Sequence, residues 1–552
     1  MKPYIQLIFC ILQLLFGSSI YAQEKVVELH PPFDFPIAFS GNFGEIRSNH
    51  FHGGLDFKTQ GTIGKPVHAL ADGYISRIRV THGSGYILEV AYDNGYTTIN
   101  RHLEAFVGEV ARRVEAVQYE QESWEVDIIP SPNEYPVRRG DIIAMSGNTG
   151  YSFGPHLHLD MIETATGDYI DPLPFFQSAV NDHTAPHAEG LMLFPMPGHG
   201  AVQGMQTRQA FAAHPERPIE AWGLIGIGIK AFDHMDGVHN RYGVHTVKLE
   251  VDGREVFRSI VDRFSYDENP YINSWTQGNY MKSFIEPGNR LRMLHADSLR
   301  GLIRIDEARP YRLVYTLSDA LGNTSQLRFT IQGRPQAILP TDRGEAQQFR
   351  WDKTNYLQLP GMELVVPKGM LYTDAWIAYQ IESDTLAPSY IYRLQGEEVN
   401  LHKGCLLRIG LRRACTPDST KYYIAGVDRG GRRWYIGGTY KEGYMEAQIR
   451  SIGSYTISID TVAPEVKPVN PQQWARTGRI IWHAKDGQTG IWSYRGTIDG
   501  AYALFGKRNA LSGNIEYKID PQRVKRGIVH TVEMSVTDGC GNTRTATYRF
   551  KW

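Results

Sequence analysis

Cysteine, net charge and long apolar runs are all scarce in this sequence, and each scarcity removes a class of protein. Only four cysteines occur in 552 residues. Cys10 lies in the apolar N-terminal stretch, and Cys405, Cys415 and Cys540 are scattered. That is neither a disulfide scaffold nor a cysteine-based zinc knuckle. Cys405 and Cys415 could pair in an oxidising compartment, but no disulfide is expected. A formal net charge of −1 offers nothing to a nucleic-acid backbone or an anionic surface. Past the N terminus, no stretch approaches the roughly 18–20 apolar residues of a membrane-spanning helix, so no transmembrane segment is expected.

What is present points to an exported, strand-rich chain of several domains. The first 22 residues, "MKPYIQLIFCILQLLFGSSIYA", have a basic start, an apolar centre and a small-residue end, the pattern of a secretory signal cut after Ala22. The chain is too long for one core, and three or four domains are expected. Glycine (55) and aromatic residues (31 Tyr, 22 Phe, 10 Trp) are abundant, which suits short strands joined by many turns.

Along the chain the texture changes once. Up to about residue 180, short alternating runs are broken by "ADG", "HGSG" and "DNG", which are turn and hairpin signals. One segment departs: Phe106, Val107, Val110, Val114 and Val117 recur at helical spacing. After "HTAPHAEGL" no helix–strand alternation remains. "LSDALGNTSQLRFTI" near 317 is echoed by "VTDGCGNTRTATYRF" near 536, and "TAPHAEG" near 184 by "TVAPEVKP" near 461. The expected division is a signal at 1–22, an N-terminal domain at 23–180, a β-sandwich at 184–334, a β-rich domain at 335–459 and a second sandwich at 460–552. "VDRFSYDENPYINSWTQGNYMKSF" reads as a large loop inserted in the first sandwich. No aromatic cluster or metal-ligand spacing in 186–552 rises above core and turn chemistry.

The chemistry concentrates in the N-terminal domain. "HFHGGLDF" sets His52 four residues before Asp56, with two glycines between them. "GNTGYSFGPHLHLDM" sets His156 and His158 two apart, hence on one face of a strand. Two imidazoles and one carboxylate form a three-ligand zinc set with a fourth position for water, the catalytic pattern, and such water is acidified to near neutral pH. Spacing leaves open which histidine of the pair is the ligand, since both of an H-x-H can bind one ion. The glycines Gly147, Gly150 and Gly154 are read as backbone devices, through positive φ or close approach.

These elements, with "GKPVHALADGYI", "GYILEVAYDNGYTTINRHL" and "VRRGDIIAMSGNTG", resemble the M23 family of zinc metallopeptidases, the lysostaphin/LytM-type peptidoglycan endopeptidases. The likeness covers roughly residues 35 to 175. It implies a mainly β chain, with an antiparallel β-sheet peptidase domain followed by β-sandwich (Ig-like) domains. It implies one Zn2+ per chain held by His52, Asp56 and His158, with His102 and His156 as catalytic histidines. One of these two would take the proton of water attacking a scissile carbonyl, while the other steadies the oxyanion. Peptidoglycan peptides would be the substrate and the periplasm or cell envelope the setting. The alternatives are a non-catalytic relative that binds the wall or activates another hydrolase, and a chain whose main business is its C-terminal β domains.

Two departures from the family pattern stand out. Asn100 occupies the place where many members have a tyrosine, and it is a candidate for holding the oxyanion. About 20 extra residues follow His102, expected near one wall of the groove. His50 lies beside His52 as a candidate site-lining residue, and Arg47 as one for a substrate carboxylate.

Overall fold

The computed structural model describes residues 29–383, 387–395 and 399–552; the signal segment at 1–22 lies outside them. The chain is mainly β, with 50% of residues in strands and 8% in helices. Among the described residues no helix is long and apolar enough to cross a membrane. No disulfide joins Cys405, Cys415 and Cys540.

Among the strands of the N-terminal domain, seven make the main path of its large sheet, with one helix beside them: β1 (Phe39–Gly41), β2 (Gly54–Lys58), β3 (Gly73–Thr81), β4 (Gly85–Tyr92), β5 (Tyr96–Leu103), α1 (Gly108–Glu120), β6 (Val126–Ile128) and β7 (His156–Glu163). They form one antiparallel sheet in the order β1-β2-β7-β5-β4-β3-β6. Alternation sorts its two faces. Leu55 and Phe57 of β2, and Leu157, Leu159 and Met161 of β7, are almost wholly buried in one apolar core with Leu88, Val90 and Leu103. Asp56, His156 and His158 fall on the opposite face by the same period of two.

The remaining described residues form further sheets around three larger buried apolar clusters, drawn mainly from residues 191–331, 349–457 and 474–552, and a small one of Tyr423, Ala425 and Cys540. The segment expected as an inserted loop is ordered instead. It holds a 3-10 turn at Tyr266–Tyr271, a helical turn at Ile272–Trp275 and a hairpin ending at Lys282. Its aromatic residues pay for the order by packing: Phe264 lies 5.1 and 5.2 Å from Phe43 and Phe51, and Trp275 lies 5.9 Å from Phe51. Asn269 accepts the Phe51 backbone N–H at 2.9 Å. The insertion therefore braces the strand end just before His52.

Helix α1 buries Val110, Val114 and Val117, as the helical spacing requires. Its outer end is covered by the last domain. Tyr119 stacks edge-on with Tyr502 at 6.0 Å and under Arg523 at 3.5 Å, and Glu122 pairs with Arg495. The extra residues after His102 are a platform on which the C-terminal end of the chain docks.

Candidate metal centre

Register builds the centre. His158 of β7 stands directly opposite Asp56 of β2 and Arg101 of β5, while Asp160 stands opposite Gly54. The strands can approach this closely because Gly54 lacks a side chain; a Cβ there would lie 1.9 Å from the Leu159 carbonyl oxygen. His52 reaches in from the turn before β2.

Three atoms meet. His52 Nε2 lies 3.0 Å from Asp56 Oδ1 and 3.0 Å from His158 Nδ1, and His158 Nδ1 lies 2.9 Å from Asp56 Oδ1. The outer hydrogen bonds decide what these atoms carry. His52 Nδ1 donates to the Asn42 carbonyl at 2.6 Å, and His158 Nε2 donates to Asp160 Oδ1 at 2.6 Å. A carbonyl and a carboxylate can only accept, so the protons belong on those outer nitrogens. The inner nitrogens then present lone pairs, as Asp56 does. Three lone pairs within about 3 Å repel unless a proton or a cation lies among them. Two imidazoles and a carboxylate, with His52 and Asp56 buried and His158 half-buried, are a zinc-type donor set of the three-ligand kind, and partners that orient the outer nitrogens are its usual companions. His52, Asp56 and His158 thus fit a metal ion.

With the side chains alone, a proton on His158 takes the place of that cation. Burial opposes charge on Asp56, but His52 and His158 hold its carboxyl well below the usual range. Burial likewise opposes charge on His158, and Asp160 and Asp56 overcome it, raising the imidazole to about 9. Asp160 is buried and held low by His158 and Arg101, whose guanidinium lies 2.7 Å away.

His102 and His156 flank the trio. His156 Nε2 lies 3.6 Å from Asp56 Oδ1, and the His102 and His156 rings are 4.9 Å apart. Ordinary alternation would send His102 into the core with Asn100. Arg101 and His102 instead stand together opposite Ile87, as the pairs Tyr86–Leu103 and Leu88–Asn100 show. This is a β-bulge, with His102 at φ +60°, and it swings the ring to the metal side. Both rings are set the same way: His102 Nδ1 donates to the Thr149 carbonyl and His156 Nδ1 to the Gly154 carbonyl, each at 2.8 Å. Their Nε2 atoms are therefore acceptors. Burial, then His158 and His156, push His102 down to about 3; burial also lowers His156, though Asp56 opposes it. Both are neutral at pH 7.

Other candidates lie elsewhere. Asn100 pairs with Leu159 on the core face, 1% exposed, and its amide donates to the Leu88 carbonyl at 3.2 Å and to Thr98 Oγ1 at 3.3 Å. It satisfies the strand beside the bulge and does not face an oxyanion. His50 is exposed and turned to the Ser48 carbonyl. Arg47 is engaged by Glu45 at 3.1 Å and by Asp56 Oδ2 at 3.4 Å, so it holds the outer oxygen of Asp56 rather than standing open for substrate. Gly150 has φ +73°, and a Cβ on Gly147 would lie 2.3 Å from the Glu104 nitrogen; Gly154 shows neither constraint. Asp160 and Arg101 were missed, although Asp160 stands two residues after His158 and hence on its face.

The loop that carries these glycines is held from outside its domain. Gly150 N donates to the Arg508 carbonyl at 2.7 Å, Ala510 N to the Gly150 carbonyl at 2.8 Å, and Asn509 Nδ2 to the Ser152 carbonyl at 3.0 Å. Ser152 Oγ in turn lies 3.2 Å from His156 Nδ1.

A model of the Zu5-like domain matches residues 346–460. Among curated proteins, the chain is similar to glycyl-glycine endopeptidase ALE-1 of Staphylococcus capitis, 30% identical over 149 residues, which cover 26% of this chain and 32% of that protein. It is similar to an uncharacterized metalloprotease of Haemophilus influenzae (30% over 159 residues; 28% and 27%). DD-carboxypeptidase/endopeptidase Mpg of Neisseria meningitidis is 34% identical over 110 residues, covering 20% of this chain and 19% of that protein. The match thus spans about a third or less of these relatives. The catalytic domain of lysostaphin from Staphylococcus simulans is 25% identical and covers 25% of this chain and 89% of that chain, at a TM-score of 0.18. The similarity is to M23 peptidases.

Proposed function

We propose that the chain is a zinc-dependent endopeptidase that hydrolyses peptide bonds in peptidoglycan stems or cross-links, after export to the periplasm or envelope. The observation that carries this reading is the convergence of three lone-pair atoms, His52 Nε2, Asp56 Oδ1 and His158 Nδ1, beside two neutral imidazoles. The metalloprotease and endopeptidase relatives support the reaction class, and the glycyl-glycine endopeptidase supports the substrate class. In this reading residues 1–22 direct export, 23–180 are the peptidase domain, and the sandwiches at 184–334 and 460–552 flank a middle domain at 335–459.

His52, Asp56 and His158 would hold one zinc ion, which supplies Lewis acidity and acidifies water at neutral pH. The proton chemistry belongs to the protein. With both Nδ1 atoms committed to carbonyls, His102 Nε2 and His156 Nε2 can accept the two hydrogens of an attacking water and so orient it. His156 takes the proton, because charging His102 would place a cation in a buried site among other imidazoles. Protonated His156 Nε2 then becomes the donor to the leaving amine. Neither neutral ring offers an N–H to an oxyanion, so the steadying role first considered for the second imidazole falls away.

Zinc analysis of the purified protein, with mass spectrometry of muropeptides released from a wall suspension, tests this. About one zinc per chain is expected, lost in His158→Ala, with peptide-bond products lost in His158→Ala and in His156→Ala, and zinc retained in the latter. Bound zinc with no product from any peptidoglycan or oligoglycine substrate would sink the catalytic reading.

A further inference from the structure

Within each of the two sequence repeats, the opening and closing segments meet in space. In the first repeat Asp182, Asp233 and Asp319 bring carboxylate oxygens within 4.8 Å of one another, and in the second Asp460, Asp486 and Asp538 do the same. The turn asparagines match as well: Asn323 Nδ2 donates to the Asp182 carbonyl at 3.2 Å and Asn542 Nδ2 to the Asp460 carbonyl at 3.1 Å. Because the three aspartates of a trio are far apart along the chain, no local spacing reveals either cluster.

Most oxygens of both trios are satisfied: Asp182 Oδ1 accepts the backbone N–H groups of Thr184 and Asp236, and Asp319 Oδ1 those of Leu321 and Asn323, as Asp538 Oδ1 does those of Cys540 and Asn542; the trios differ at Asp233 and Asp486. In the second, Asp486 Oδ2 accepts the backbone N–H groups of Gln488, Thr489 and Gly490 at 2.9, 2.7 and 2.9 Å, and Asp460 Oδ2 accepts the Thr489 hydroxyl at 2.8 Å. In the first, Asp233 is 5% exposed and its buried Oδ1 has no hydrogen-bond partner. That side chain lines a cavity of ≈ 30 Å³, room for a single water-sized occupant. The cavity wall includes Asp171, Asp182, Asp233 and Asp319 with one imidazole, His245, and no lysine or arginine. Buried carboxylates without a counter-charge are costly and must be neutralised. Burial, helped by Asp319 and Asp182, pushes Asp233 up to about 8 against the lowering hydrogen bond from the His234 backbone N–H.

We propose that Asp182, Asp233 and Asp319 bind a hard divalent cation of the calcium class. An all-oxygen donor set suits Ca2+, which completes its shell with carbonyls and water, and it does not suit a metal that seeks imidazole or thiolate. The location gives the cation a task. Phe39, Asn42 and Phe43 of the N-terminal domain line the same cavity. The Asn42 side chain exchanges hydrogen bonds with the Gly243 backbone at 2.8 and 2.9 Å, while its carbonyl orients His52. Calcium there fastens the junction from which His52 is positioned.

The test uses the full chain, cleared of loose metal on a chelating resin and confirmed to retain zinc. CaCl2 is titrated by calorimetry, and thermal midpoints are compared with and without excess CaCl2. Saturable heat for the Asp233 site and a midpoint rise of about 2–4 °C are expected. Asp233→Asn removes both responses with zinc content unchanged, which certifies its fold, and Asp486→Asn keeps both. The proposal is overturned by a wild type that answers neither CaCl2 nor MgCl2, by a response to MgCl2 alone, or by an Asp233→Asn protein that still answers calcium. If Asp233→Asn melts higher than a calcium-blind wild type, a proton rather than a cation neutralises the cluster, and the proposal fails.

Discussion

Replacing Asp160 by asparagine isolates the outer hydrogen bonds of the centre from its ligands. The carboxylate has two tasks: Oδ1 accepts His158 Nε2–H at 2.6 Å, and Oδ2 binds Arg101 Nε at 2.8 Å. An amide cannot do both. With its oxygen toward His158, its NH2 faces the guanidinium; flipped, its NH2 meets His158 Nε2 and drives the proton onto Nδ1, the atom needed as a ligand. A lost charge-assisted hydrogen bond costs about 1.5–3 kcal/mol, and each 1.4 kcal/mol is about tenfold in an equilibrium constant. Zinc affinity is therefore expected to fall about 10–100-fold, the range typical of such outer partners.

The assay is competition for zinc against a chromogenic chelator at pH 7, alongside urea unfolding. Arg101→Gln is the comparator. It leaves the Asp160 carboxylate on His158, so stability falls, on the order of 1–3 kcal/mol for a disrupted polar contact, while zinc affinity moves less than about threefold. An Asp160→Asn protein whose zinc affinity stays within threefold of wild type would falsify the claim that Asp160 sets the His158 tautomer.

Other consequences are quicker to state. Gly54→Ala puts a methyl group 1.9 Å from the Leu159 carbonyl; the β2–β7 pair must separate, and urea unfolding should show a loss of at least about 2 kcal/mol with less bound zinc. His102 has a folded pKa near 3 against an ordinary 6.5, so it contributes stability that is present above pH 6.5 and lost as pH falls toward 3. His102→Gln in zinc-free protein should flatten that acid limb of the thermal midpoint; an unchanged limb contradicts the burial argument. Asn509→Ala removes the donor on Ser152, and turnover should fall a few-fold with zinc content intact; unchanged turnover means the last domain merely rests on the loop.

What could be read from the chain, and what could not, divides by distance along it. His52 with Asp56, and His156 with His158, are local pairs: a strand's period of two places the second pair on one face, and the turn before β2 brings His52 back to Asp56. The same rule reaches Asp160 from His158, so that residue was legible although it went unread. His102 was not accessible to it. Period two sends His102 into the core with Asn100, and only the extra residue opposite Ile87, at φ +60°, turns it outward. Nothing in "INRHL" announces a bulge, because what tolerates the strained backbone is remote: Thr149 receives the ring at 2.8 Å, and Ser84 receives the His102 backbone N–H at 3.1 Å.

Distance along the chain also hides what the C-terminal domain does for the centre. Gly150 reads locally as a turn glycine, and its φ of +73° satisfies that reading. Yet its N–H and its carbonyl both bond to residues more than 350 positions away, Arg508 and Ala510, and the next polar link runs from Asn509 through Ser152 to His156. Backbone groups at a loop tip are ordinarily satisfied by water, so no composition or spacing signals that these are spoken for by a distant loop. A histidine at the start of a strand is aimed by the loop that leads into it, and a site needs such aim to within a fraction of an ångström. Here the fixing atoms lie on another domain, and the seat of His156 depends on the docking of the last ninety or so residues as much as on β7 itself.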